Sequence, residues 1–246
     1  MLLHKFRSLS EDEFSNTKSI LTDSTIFFAR YEKLNDPFEY SYQWTTHGNL
    51  KTKIDFWSKL EYYQNALASV DSDARESLVN EWEESIAPPR GHKIIGADHV
   101  GIFCASSIWN NLVLWSHYAD HHRGACFVFE SDDDEVLSDA KNVQYTKTPG
   151  QYNLYDGINR VDVLSRKFTD WSYERELRIF HAPGVYHFRP RALKKIIFGL
   201  NTWMPNTSSC THANELIGIA RSENPGVELQ RAIRNHGTYS LSLQSI

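Results

Sequence analysis

Asn110–Glu130, NNLVLWSHYADHHRGACFVFE, runs from a helix through its stop into a strand. Leu112, Trp115 and Tyr118 recur every third residue, so Asn110–His122 presents one apolar stripe of an amphipathic helix. Gly124 follows where a helix commonly ends in a left-handed residue. Ala125–Glu130 (ACFVFE) then reads as a strand, rich in the aromatic and β-branched residues that fit a pleated surface.

Outward from this pair the pattern repeats irregularly. Val100–Ala105 (VGIFCA) reads as a buried strand just upstream. Downstream, Asn142–Tyr145 is a short strand, Tyr155–Phe168 a helix, and Glu174–Phe180, Tyr186–Phe188 and Lys195–Phe198 are strands. Thr207–Ala220 is helical. Val227–Arg234 and Tyr239–Leu243 flank Asn235-His236-Gly237 as a closing hairpin. At the other end, Leu2–Arg7 is a short strand. Ser10 with Glu13 forms a capping box for a helix to about Leu21, and Thr25–Ala29 is a second strand. Ile54–Ile86 is mostly helical, split at Asp71-Ser72-Asp73 and ended by Pro88, Pro89 and Gly91, and the stretch 50–95 reads as a helical insertion. Strands and helices interleave without a regular βαβ beat. The expected fold is therefore α+β, a mixed and mainly antiparallel central sheet with flanking helices and a helical insertion, in one domain over residues 1–246. Neither common glycine-rich phosphate loop is present.

The net charge of −5 argues against a strongly basic nucleic-acid binder driven by counterion release. Cys104, Cys126 and Cys210 are odd in number and lack CxxC spacing, against a disulfide framework or zinc ribbon. Cys104 and Cys126 read as core residues. With no signal-like leader and no apolar run long enough to span a bilayer, the expectation is a cytoplasmic protein with no membrane partner.

Three segments carry concentrated polar chemistry. On the opening strand, alternation puts Lys5 and Arg7 on one face, either a solvated face or an anion clamp. The turn Asn35-Asp36-Pro37-Phe38-Glu39 caps itself through Asn35 and Asp36, and its two carboxylates also offer acceptors to ribose hydroxyls, a metal or a cation such as Arg7. In Trp171–Arg178 (WSYERELR), a strand period puts Glu174, Glu176 and Arg178 on one face. Like charges two apart need compensating cations, so this is either a surface ladder worth little or a site holding ionised glutamate beside fixed cations. His117 and His121 stand at i,i+4 without a third ligand, so no metal residues are assigned, and His117 is expected at a cleft wall beside Trp115 and Tyr118.

The motifs KFRSL, LNDPFE, LWSHYADHHRGACFVFE, and WSYERELRIF followed by KKIIFG occur in an order that resembles the bacterial family catalogued as domain of unknown function 2971, over about Leu3 to Gly199. More distantly the order is similar to that of ADP-ribosyltransferases. That resemblance implies NAD as the substrate cofactor, with Lys5 or Arg7 on its diphosphate or ribose and Phe27, Phe28 or Tyr31 flanking nicotinamide. It implies Glu174 or Glu176 as the catalytic carboxylate that holds a ribose hydroxyl and stabilises the cationic sugar. Where that superfamily has a first-strand Arg or His, this chain has Lys5 and Arg7, with His4 displaced by one.

The leading expectation is thus an NAD-dependent ADP-ribosyltransferase-like enzyme, a bacterial toxin or phage-defence effector. Its partners would be a nucleotide or small-molecule ligand and a nucleic-acid or protein acceptor. Asn35, Asp36, Glu39, Trp115, His117, Tyr118 and Arg178 complete the expected ligand-binding set. Two alternatives stand beside it: a metal-dependent nuclease or phosphodiesterase using Asp36, Glu39, Glu174 and Glu176, and a noncatalytic nucleotide-sensing module.

Overall fold

The computed structural model describes residues 1–85, 99–157 and 159–246. Its centre is a mixed, mostly antiparallel sheet of ten strands. The strands that matter for the site are β1 (Leu2–Arg7), β2 (Thr25–Arg30), β4 (Gly101–Ser106), β5 (Ala125–Glu130) and β10 (Glu176–His181). β11 (Gly184–His187) is one edge. The order continues through β2, β4, β1 and β5 to β12 (Leu193–Phe198), then β13 (Glu228–Arg234) and β14 (Leu241–Ser245). β12 and β13 are parallel. The last two strands form the expected antiparallel pair, with Arg234 opposite Leu241.

The sheet is covered on both faces. On one, α1 (Glu11–Thr22) and α7 (Ser208–Glu223) lay Phe14, Ile20, Leu21, Ala213 and Leu216 against Leu3, Phe103, Phe127, Phe129 and Ile196. Each such large apolar side chain contributes about 1.5–3 kcal/mol by leaving water. On the other, α5 (Leu112–Tyr118) packs Leu114 and Trp115 onto Phe6, Cys126, Val128 and Ile197. α2 (Leu50–Trp57), α3 (Glu61–Ala68) and α4 (Ser72–Ser85) make the helical insertion, which closes its own small core of Trp57, Leu67 and Val79. The expected helix stop at Pro88, Pro89 and Gly91 lies outside the described residues.

Four local expectations are corrected. Ser10 is the N-cap of α1, but its hydroxyl accepts from Ser8 Oγ and no side chain caps the helix, so the capping box does not close. The helix expected over Asn110–His122 begins after Asn111, whose side chain takes the amides of Val113 and Leu114. It ends at Tyr118, because Asp120, His121 and His122 all adopt left-handed backbone conformations. His121 is therefore off the helix, and the i,i+4 pair with His117 dissolves.

Tyr155–Phe168 is not one helix. Gly157 takes a positive φ of 77°, and only Arg160–Val163 (α6) is α-helical, capped by Asn159. The chain then enters a short strand β9 (Arg166–Phe168) parallel to β7 (Gln144–Thr146). Finally, Glu174 is not on a strand. It ends a 3-10 turn over Thr169–Glu174, and left-handed Arg175 (φ 45°) separates it from β10.

Candidate functional site

The site begins where the sheet parts. β10 pairs with β4 along its whole length, from Glu176 opposite Ser106 to His181 opposite Gly101. The other edge of β4 is shared. β2 takes it at Gly101 and Ile102, and β1 takes it only where His4 meets Ser106. Between these, no strand among the described residues pairs with that edge of β4, and a buried carbonyl there needs a donor. Side chains of β1 supply them: Lys5 Nζ donates to the Cys104 carbonyl at 2.7 Å, and His4 Nδ1 lies 3.1 Å from the Ser106 carbonyl. Lys5 also stands 5.0 Å from the centre of the Phe103 ring. Burial, helped by neighbouring Arg7, pulls the Lys5 ammonium down to about 8.

Below the gap lies a buried ion cluster. β9 alternation sends Lys167 inward and leaves Phe168 exposed. Lys167 Nζ lies 2.6 Å from Glu174 Oε2, 3.1 Å from Glu176 Oε2 and 3.2 Å from Glu39 Oε1. Arg178, fully buried, donates through Nε and Nη2 to Glu176, through Nη2 to Glu39 Oε2 at 2.7 Å, and through Nη1 to the Leu164 carbonyl at 2.6 Å. Three carboxylates, Glu39, Glu174 and Glu176, thus share two cations. Burial opposes the charge on Glu176, but Arg178 and Lys167 override it and hold that carboxyl down at about 2. Glu39 goes the other way: burial raises it despite the same two cations. Lys167 is raised, because Glu176, Glu39 and Glu174 outweigh its desolvation.

The turn that delivers Glu174 is pinned from outside. Ser106 Oγ donates to the Glu174 carbonyl at 2.6 Å, the Ser107 amide to the Arg175 carbonyl at 3.0 Å, and Asn111 Nδ2 to the Tyr173 carbonyl at 3.0 Å. The amide of Glu176 donates to Tyr145 Oη at 2.8 Å. Glu174 Oε1 accepts from Tyr118 Oη at 2.6 Å, and that hydroxyl accepts from Asn35 Nδ2, also at 2.6 Å. Burial and the Glu174 charge raise the Tyr118 phenol well above its ordinary value, so it stays a donor.

These groups enclose a pocket of about 190 Å³ walled by Lys5, Cys104, Tyr118, Lys167, Glu174 and Glu176, with exposed Lys33 and Asn35 also on its lining. That is below the roughly 300 Å³ at which pockets for drug-sized ligands begin, so it holds one ring or one sugar. Its walls can hydrogen-bond hydroxyls, and they carry three lysines, Lys5, Lys33 and Lys167, beside three glutamates, Glu39, Glu174 and Glu176.

Of the residues singled out from sequence, Lys5, Asn35, Glu39, Tyr118, Glu174 and Glu176 line this pocket. Arg178 stands behind it as the partner of Glu39 and Glu176. Arg7 does not reach it; its guanidinium feels Glu13, and its buried Nε has no hydrogen-bond partner among the described residues. Asp36 is buried and accepts the Phe38 amide at 2.9 Å, serving its own turn. Trp115 is a core residue whose indole donates to the Trp109 carbonyl. His117 is exposed and meets Tyr173 Oη at 3.2 Å, outside the pocket. Phe27, Phe28 and Tyr31 are absent from the lining: Phe27 is half exposed and the other two are buried in apolar clusters.

Sequence reasoning missed Lys167, because it lay in the segment read as helix. Its signal was the alternation of Arg166-Lys167-Phe168 after Ser165. Among the described residues no group of His, Cys, Asp and Glu side chains is arranged to hold a metal ion. No helix among them is long and apolar enough to cross a membrane. The chain matches no family model, no curated protein and no solved structure.

Proposed function

We propose that the pocket takes the ribosyl end of a nucleotide, and that the protein is an ADP-ribosyltransferase-like enzyme acting on NAD with Glu174 as its catalytic carboxylate. The observation that carries this reading is Glu174 itself. A carboxylate only 3% exposed forms the pocket wall, with Tyr118 and Lys167 holding its two oxygens. Such a site favours a sugar that develops positive charge as its leaving group departs, and the Tyr118–Asn35 relay fixes the carboxylate in place. Glu176 accepts from two cations, Arg178 and Lys167, whereas Glu174 has Lys167 alone as its cation and is the less neutralised of the two carboxylates. KFRSL, LNDPFE and WSYERELRIF each contribute residues to the lining of this one pocket.

The test is NAD cleavage by the purified chain with and without EDTA. Turnover that persists in EDTA and is lost in Glu174→Gln, with the fold intact, is the expected result. Absence of both turnover and NAD-induced stabilisation would remove the reading.

One observation favours a noncatalytic nucleotide sensor instead. Both oxygens of Glu174 already accept hydrogen bonds, from Tyr118 and Lys167. A sensor would be stabilised by NAD or a related nucleotide without consuming it. The nuclease reading draws no support from the geometry, because Glu39, Glu174 and Glu176 face fixed cations and Asp36 faces its own turn.

A further inference from the structure

We propose that Lys5 is a carbonyl-reactive lysine, whose amine in the pocket wall captures a small aldehyde as an imine. Of the three lysines on the lining of this pocket, Lys33 is exposed, and the surroundings of the other two are opposite. Lys167 has three carboxylates within 3.2 Å. Losing its proton would strand buried negative charge, which strongly disfavours the neutral amine. The hydrogen-bond partner of Lys5 Nζ is the neutral carbonyl of Cys104. The groups acting on it from the packed elements are Arg7 on β1, which repels it, and Cys104 on β4 and Glu176 on β10, which attract it more weakly. Burial dominates and brings the amine to about 8, where an appreciable fraction is neutral near pH 7.5. That fraction is on the order of a hundredfold larger than for an ordinary lysine with a pKa of about 10.4. The amine of Met1 is a poor competitor, being paired with Glu130 and Asp132 and raised by them.

The geometry suits the step. Lys5 lines the pocket, and its Nζ sits on the Cys104 carbonyl and over the Phe103 ring. Addition forms a C–N bond to the carbonyl carbon and gives a carbinolamine. The carbonyl oxygen then leaves as water with both amine hydrogens, one water per imine. Protonated from solvent, the imine keeps one N–H for the Cys104 carbonyl, so the sheet edge remains satisfied. A pocket of about 190 Å³ admits an aldehyde of triose size.

The experiment treats the folded protein with glyceraldehyde and cyanoborohydride, which reduces the imine to a stable amine, and maps the modified lysines by mass spectrometry. Lys5 is expected to be modified at least about tenfold faster than exposed Lys51 and Lys59 near pH 7.5, with Lys167 unmodified. Its rate should level off above about pH 8 while the exposed lysines keep accelerating. Lys5→Arg keeps the cation and removes the label. Should that variant fail to fold, the comparison of Lys5 with Lys51 and Lys167 inside the wild-type chain still decides. Labelling of Lys5 no faster than the exposed lysines overturns the proposal. The inference does not depend on NAD: saturating NAD protects Lys5 if the ribosyl reading holds, and leaves its labelling unchanged if that reading fails.

Discussion

Arg178 and Glu39, 139 positions apart, meet in the interior through an Nη2–Oε2 hydrogen bond of 2.7 Å, with the arginine wholly removed from solvent. The contact ties the Asn35–Glu39 turn to β10, so the wall of the pocket and the stability of the sheet depend on one guanidinium. A buried cation of this kind is costly to bury and costlier to strip of its partner.

Arg178→Leu is accordingly expected to destabilise the protein by about 3–5 kcal/mol, because it leaves Glu39 and Glu176 facing each other with Lys167 alone between them. Urea unfolding monitored by tryptophan fluorescence measures this. Lys167→Met should cost a similar amount, whereas Arg166→Met, whose pair with Asp162 is far more exposed, should cost under about 1 kcal/mol.

The depressed Glu176 carboxyl sets an acid limit. A carboxylate held at about 2 in the fold, against about 4.3 when unfolded, stabilises the protein above the unfolded value. It loses that contribution as pH falls towards 2. Glu39 runs oppositely, since a raised carboxyl favours the fold most when protonated. Net stability should fall between about pH 5 and 2. The slope should flatten in Glu176→Gln, as read from unfolding free energies across that range. An unchanged slope would mean that Glu176 does not govern acid unfolding.

How much of this was legible in sequence follows from which interactions are local. β1, β5 and the closing hairpin are written in alternation and turn chemistry, and they appear nearly where read. The convergence of Lys5, Asn35, Glu39 and Glu174 was approached through charge density, since clustered like charges require partners somewhere. Lys167 was not legible, because its segment carries mixed apolar spacing and its three carboxylate partners come from tertiary packing. Glu174 was identified but misplaced. Nothing in Tyr173-Glu174-Arg175 forces Arg175 to a positive φ; the turn is held by three bonds from Ser106, Ser107 and Asn111, at the end of β4 and the cap of α5. The His117–His121 spacing misled for a related reason. It assumes helix through His121, where the backbone is left-handed.

Tyr118 couples Asn35 to Glu174, so the effects of removing its hydroxyl and the Asn35 amide should not add. Tyr118→Phe leaves a buried carboxylate oxygen short of a donor and should cost about 1–3 kcal/mol. Asn35→Ala alone, at an exposed position, should cost less than about 1 kcal/mol. The double-mutant cycle, measured by chemical denaturation, should return an interaction energy above about 0.5 kcal/mol. Strict additivity would mean that the relay is two independent contacts.

Gly124 gives the most direct test of how tightly α5 is set against the sheet. A Cβ added there would collide with the backbone carbonyl of Arg7 and crowd the backbone of Ala119, neither of which can swing aside as a side-chain end could. The close approach brings the end of the α5 turn onto β1, where the Gly124 amide donates to the Ala119 carbonyl at 2.8 Å and its carbonyl accepts from the Gly199 amide at 2.9 Å. Gly124→Ala must therefore push β1 or the α5 turn outward. Overpacking of this kind costs about 1–3 kcal/mol or more. Because β1 carries Lys5 and α5 carries Tyr118, the variant should also loosen the pocket. Hydrogen exchange should quicken at the β1 amides that pair with β5, and less so in α2–α4, which close a core of their own. A Gly124→Ala protein with wild-type stability and unchanged exchange in β1 would show that this contact does not set the spacing of the site.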